Sequence, residues 1–218
     1  YGSYQGEPVE WRVLDKKDGE ILLLSEYGLD AQPFDTSGKS RVDWKDSTIR
    51  KWLNDDFYNS AFSEKEKENI VESKSEGFEE YNTSMNLTGG GKPYAYLERE
   101  IEDKVFLLSN TELCAYFSED PYPGCYSDPY AHKELLCYPT AYAKQQLETR
   151  YQTETCGWWL CNHVYEDDSV ELVSAYGQGS GTSRENIKAN TKSIAVRPAM
   201  WVTWQSDMEM VEANQQVE

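Results

Sequence analysis

The chain has 218 residues, enough for one domain with a sizeable core, and carries 39 Asp and Glu against 21 Lys and Arg, a net charge of −18. That charge repels phosphate backbones and anionic lipid headgroups, so we expect neither nucleic acid nor a membrane surface as partner. Sixteen Tyr and seven Trp place the acidity on a solvated surface around a real core and not in a disordered tract.

In chain order, Val9 to Leu14 alternates apolar and polar residues, Asp18-Gly19 supplies a turn, and Glu20 to Ser25 resumes as an apolar run. This pattern predicts a β-hairpin. The apolar run Ile21 to Leu24 is the strongest in the chain, far short of the about 18 residues a membrane helix needs. After a loop around Gln32-Pro33-Phe34-Asp35, Ser47 caps a predicted helix whose Ile49, Trp52, Leu53 and Phe57 share one face. Ser63-Glu64-Lys65-Glu66 has the capping-box pattern and predicts a second helix running to about Val71.

Residues 73–102 are polar, contain Gly89-Gly90-Gly91 and show no periodicity, so we expect an insertion or loop. Lys104 to Leu108 reads as a strand, and Ser109-Asn110-Thr111-Glu112 repeats the capping box before a helix with Leu113, Tyr116 and Phe117 on its apolar face. A Pro-, Gly- and Tyr-rich loop from Ser118 to Pro139 precedes a short helix from Thr140 to about Leu147. The rest reads as β: Gly157 to His163, Ser169 to Ser174 and Ser193 to Thr203. Trp11, Trp52, Trp159 and Trp201 lie on periodic segments and are expected in the core, whereas Tyr122, Tyr126, Tyr130, Tyr165 and Tyr176 lie in loops. Gln205 to Glu218 is acidic and reads as a flexible tail on a single domain spanning 1–204. The chain opens at Tyr1 without Met, and we take it as trimmed of any targeting segment.

Tyr1-Gly2-Ser3-Tyr4, Glu10 to Leu14, Trp44, Ser47 to Asn54, Phe57-Tyr58, Ala61-Phe62, Lys104 to Ser109, Pro139 to Ala143, Trp158-Trp159-Leu160 and Val196-Arg197-Pro198-Ala199 together resemble a domain family of unknown function. That family occurs mainly in Firmicutes, often in surface-attached or secreted proteins, which implies an extracellular or cell-surface location. The last third, with Gly157-Trp158-Trp159 before a polar segment and Val196-Arg197-Pro198 closing it, is also similar to the formylglycine-generating-enzyme-like branch of the C-type-lectin-like fold. The resemblance implies an α+β domain with a twisted antiparallel sheet flanked by short helices, the chain ends close together and long loops at one side. The family's usual Arg after Trp-Trp-Leu is Cys161 here.

Catalytic members of that branch use a pair of cysteines with copper, so Cys156 and Cys161 invite comparison with a thiol oxidase. On an extended strand their spacing puts the two side chains on opposite faces, which speaks for packing or a local disulfide. The five Cys fit no standard disulfide framework, and no Cys-x-x-Cys element supports zinc at Cys156, Cys161 and His163. His163 with Asp167 or Asp168 lacks a Gly-x-Ser-x-Gly elbow for a hydrolase, and Gly89-Gly90-Gly91-Lys92-Pro93 lacks the spacing of a phosphate loop. Glu166-Asp167-Asp168 and Glu79-Glu80 offer the hard oxygens that calcium prefers, without the spacing of an EF-hand. No cofactor is therefore expected, with calcium the one cation that ligand type leaves open.

The sequence thus points to a monomeric, non-catalytic recognition module that binds a carbohydrate or protein ligand. The expected face is the polar segment between Trp159 and Ile194, centred on Asn162, His163, Tyr165, Tyr176, Arg184 and Asn186. The alternatives are a formylglycine-generating-enzyme-like thiol oxidase and a structural spacer of a surface protein.

Overall fold

A computed structural model describes residues 1–39, 42–74, 101–117, 133–148, 154–163, 170–178 and 189–204, apart from the side chains of Lys74, Asn110, Thr111, Cys114, Asn162 and His163. Every pairing between its named strands is antiparallel, and the helices between them are short.

The chain enters through a small hairpin, β1 (Ser3–Tyr4) and β2 (Glu7–Pro8), turned at Gln5 and Gly6, both with positive φ. This hairpin precedes the first strand expected from the sequence, at Val9, and Gln-Gly between short runs is turn chemistry. The expected second hairpin follows as β3 (Trp11–Lys17) and β4 (Glu20–Ser25), reversing at Asp18 and Gly19 with φ of 53° and 83°. Two consecutive positive φ values are what lets a two-residue turn match the twist of its strands.

Ser47 accepts from the Arg50 amide at 3.3 Å and opens α1 (Thr48–Trp52), which widens into a π-type turn over Leu53–Phe57 and continues as α2 (Tyr58–Ala61). Ile49, Leu53 and Phe57 are buried as the spacing predicts, while Trp52 is only half-buried. The capping box forms at Ser63, but α3 (Glu64–Lys67) ends well before Val71. Ile70–Val71 is instead β5, paired with Trp201 and Val202, because burying Ile70 at a sheet edge outweighs one further helical turn.

Ser73–Lys74 (β6) pairs with Glu102–Asp103 (β7), so the two ends of the 73–102 segment meet in a two-stranded ladder; residues 75–100 lie outside the described set. The strand expected at Lys104 to Leu108 is reduced to a single bridge between Phe106 and Ala199. Its residues Val105 to Leu108 are buried all the same, and the Asn54 side chain supplies hydrogen bonds that a ladder would have made. The second capping box, Ser109 with Glu112 at 2.7 Å, opens α4 (Asn110–Phe117). Thr140 caps α5 (Ala141–Gln146) by accepting from the Ala143 amide at 3.1 Å.

The last three strands are β8 (Trp158–His163), β9 (Val170–Val173) and β10 (Ala199–Thr203). The principal sheet runs β3-β4-β10-β5, so the closing strand lies against the first long hairpin and Trp204 N donates to Gly19 O at 2.7 Å. Residues 194–198 extend β10 as a spine: Ala195 bridges Trp158 and Val196 bridges Asp30. Trp158 and Trp159 are fully buried and anchored at different places, Trp158 donating to Leu135 O at 3.1 Å and Trp159 to Gln32 O at 3.0 Å. Trp11 and Trp201, expected in the core, are half-buried against it.

Candidate functional site

Of the six residues expected to bind a ligand, Asn162 and His163 end β8, and their side chains lie outside the described set. Tyr165, Arg184 and Asn186 also lie outside it, as do the carboxylates 79–80 and 166–168 considered for calcium and the loop tyrosines Tyr122, Tyr126 and Tyr130. Tyr176 is described and is 61% exposed, the most exposed large apolar side chain among the described residues. Its turn is tied down: the Ser174 hydroxyl accepts from the amides of Tyr176 at 3.3 Å and Gln178 at 3.2 Å, and Gly177 takes a φ of 75°. Such a turn presents a ring to solvent without the usual cost of ordering a loop. Among the described residues no group of three or more His, Cys, Asp and Glu side chains is placed to hold a metal.

A second constellation was not legible in the sequence. The Cys156 amide donates to Cys137 O at 2.8 Å, so the residues leading into β8 run beside those leading into α5. Gly28 closes the third side, its amide donating to Tyr138 O at 3.0 Å and its carbonyl accepting from Thr140 N at 2.9 Å. A Cβ at Gly28 would lie 3.3 Å from Cys156 Sγ and 3.5 Å from Cys137 Sγ, and only 2.8 Å from the Ala195 Cβ. Absence of a side chain there lets the two sulfurs share one pocket of the core.

Arg197 lies close enough for its charge to act on both thiols. It is fully buried, its guanidinium carbon stands 5.0 Å from the centre of the Trp158 ring, and its Nε donates to Ser25 O at 2.8 Å. Both terminal nitrogens are buried without a hydrogen-bond partner among the described residues. A guanidinium in this setting carries a desolvation penalty that one carbonyl and one ring offset only in part.

The thiols and the cation perturb one another. Hydrogen bonding from Cys156 holds the Cys137 thiol below its ordinary range against the opposing effect of burial, and the Arg197 charge and the Gly28 amide act in the same direction. Cys156 is pushed up by its hydrogen bond to Cys137 and by burial. Burial lowers the affinity of Arg197 for its proton, with Cys137 opposing that shift. Cys161 sits apart from this cluster: its amide donates to Leu108 O at 3.0 Å, and burial followed by Glu112 and Glu171 raises its thiol. The thiol beside Cys156 is thus Cys137, nineteen residues away in sequence. No periodicity or motif spacing announces that pairing.

Nearer the surface, Arg12 binds Glu26 through two contacts of 2.6 and 2.9 Å, and Tyr27 and Tyr138, which flank Gly28 and Cys137, are 36% and 47% exposed. Residues 18–204 match the family described as a domain of unknown function, DUF6273. The chain belongs to the DUF6273 family. No curated protein and no solved structure matches it. The DUF6273 match runs from the turn at Asp18 to Trp204 and takes in both the Tyr176 turn and the cluster of Cys137, Cys156 and Arg197. Arg12 and the β1–β2 hairpin precede the matched residues.

Proposed function

We propose that this DUF6273 domain is a non-catalytic recognition module, presented outside the cell or at its surface, that binds a carbohydrate or protein ligand through the loops between Trp159 and Ile194. The observation that carries this reading is the Tyr176 ring, 61% exposed on a turn pinned by Ser174. Aromatic rings held on rigid turns stack on sugars and anchor protein partners at low entropic cost. Elsewhere among the described residues, three buried carboxylates hold the fold: Asp30 with Tyr4, Asp35 with Ser37, and Asp103 with Trp44 and Arg50.

Antiparallel sheets, short helices and a closing strand laid against the first long hairpin support a formylglycine-generating-enzyme-like member of the C-type-lectin-like fold, and Asn162, His163, Tyr165, Arg184 and Asn186 are the ligand-binding residues proposed together with Tyr176. The resemblance to surface and secreted proteins of Firmicutes supports the location.

The test is a glycan and protein array probed with the 218-residue chain and with a variant carrying Tyr176→Ala, His163→Ala and Arg184→Ala. Binding by the parent and at least about tenfold weaker binding by the variant supports the reading, a loss typical of removing central anchors. Unchanged binding by the variant removes the face from consideration.

A further inference from the structure

The geometry around Gly28 points to a reaction that recognition does not require. We propose that Cys137 and Cys156 form a redox-active dithiol, oxidised to an internal disulfide by small hydroperoxides, with the Arg197 guanidinium as the charge that makes Cys137 the attacking sulfur. The inference is independent of the recognition reading.

Three observations carry it. The two residues are joined by a backbone hydrogen bond of 2.8 Å, and Cys156 Sγ also lies 3.5 Å from Cys137 O. Both sulfurs lie within van der Waals reach of one point, the missing Cβ of Gly28, at 3.3 and 3.5 Å. Arg197 acts on both thiols through its charge and has two buried nitrogens without an acceptor among the described residues. A buried cation that has one carbonyl and one aromatic face as partners gains most from an anion, and the thiolate is the anion that these neighbours can produce. The other charges near the cluster are Glu26, which disfavours the Cys137 thiolate, and Arg12, which disfavours the Arg197 cation and is itself bound to Glu26.

The Cys137 thiolate attacks one oxygen of hydrogen peroxide, breaking the O–O bond to give a sulfenic acid and hydroxide. Cys156 then attacks the Cys137 sulfur, its proton leaving with the sulfenic oxygen as water, and the S–S bond forms. Two electrons pass from the thiols to the peroxide. A water-sized oxidant suits sulfurs that are 0% and 4% exposed, since larger disulfides would require the core to open. Closure links the residues before α5 to those before β8 across a loop that constrains the unfolded chain.

The experiment treats the native chain with hydrogen peroxide, blocks remaining thiols after denaturation and maps the peptides. The expected result is a dithiothreitol-reversible Cys137–Cys156 peptide with Cys161 still reduced, formed at a rate that levels off at lower pH than that of an ordinary cysteine thiol. With Cys156→Ser, the oxidised Cys137 stops as a sulfenic acid that dimedone captures. Arg197→Lys keeps the rate within about threefold, and Arg197→Met lowers it at least about tenfold at pH 7. Thiol loss without a Cys137–Cys156 peptide overturns the proposal. So does a rate that climbs about tenfold per pH unit, the behaviour of an ordinary protonated thiol. If Arg197→Met fails to fold, the pH profile of the unaltered protein decides the role of the cation.

Discussion

Asn54 makes with Val105 the two hydrogen bonds that a neighbouring strand would make: its Nδ2 donates to Val105 O at 2.9 Å and its Oδ1 accepts from Val105 N at 3.2 Å. The same amide also donates to Asp103 Oδ1 at 3.2 Å and accepts from Lys104 N at 2.9 Å. A buried, strand-like segment is thereby satisfied by one side chain projecting from the π-type turn. Asn54→Ala leaves two amides and a carbonyl without these partners and is expected to cost about 3 kcal/mol. Urea unfolding measures it, and a loss under about 1 kcal/mol would show that water takes over the role of the side chain. Asn54→Asp keeps the acceptor but sets a second carboxylate beside Asp103, so its cost should shrink on acidification.

That contact also marks what the sequence could and could not reveal. Hairpin, caps and apolar runs are local, and the Asp18-Gly19 turn, the Ser47 cap, both capping boxes and β8 to β10 follow from spacing alone. Lys104 to Leu108 has the composition of a strand, but its partner is a side chain fifty residues earlier, which no window on the sequence contains. Cys137 with Cys156 is a miss of the same kind, since the pairing depends on the approach of two loops over Gly28. Tyr176 was legible as a loop aromatic, whereas the hydroxyl of Ser174 that fixes its turn was not.

Gly28 and Gly19 separate two reasons for a glycine. A Cβ at Gly28 would sit 2.8 Å from Ala195 Cβ, closer than such atoms approach, while at Gly19 nothing lies within 4 Å but φ is +83°. Gly28→Ala should cost about 1–3 kcal/mol by overpacking, and Gly28→Asn more. At Gly19 the order reverses, because Asn tolerates a left-handed backbone better than Ala does. Equal penalties for Ala and Asn at both positions would contradict this assignment.

Arg197 packs over Trp158 and donates to Ser25 O, yet two of its nitrogens are buried without partners among the described residues. Under reducing conditions Arg197→Ala should lose about 3–5 kcal/mol through the cavity it leaves against Trp158. Arg197→Met fills most of that volume and removes the desolvation cost but also the cation beside Cys137, so it should lose less than Arg197→Ala. Chemical denaturation of the two variants side by side distinguishes packing from charge. If Met proves as damaging as Ala, the guanidinium is contributing through its charge and its bond to Ser25.

Tyr1, Tyr4 and Tyr116 are each about half-buried, and burial is the main cause of phenol pKa values raised above the ordinary value of 10. Each hydroxyl also faces an oxygen acceptor: Glu66 O for Tyr1, Asp30 Oδ2 at 2.5 Å for Tyr4, and Asp15 Oδ2 at 3.4 Å for Tyr116. A folded-state pKa above the unfolded one gives stability that is complete below about pH 10 and is lost as pH rises towards the folded value, because the unfolded chain then sheds protons the fold retains. The protein should therefore weaken steadily above pH 10, and Tyr4→Phe should flatten that decline while giving up the bond to Asp30. Phenolate absorbance followed against near-ultraviolet circular dichroism tests this. These three rings should ionise only as the native signal disappears, and a full complement of sixteen phenolates formed while the native signal persists would show that burial does not hold their protons.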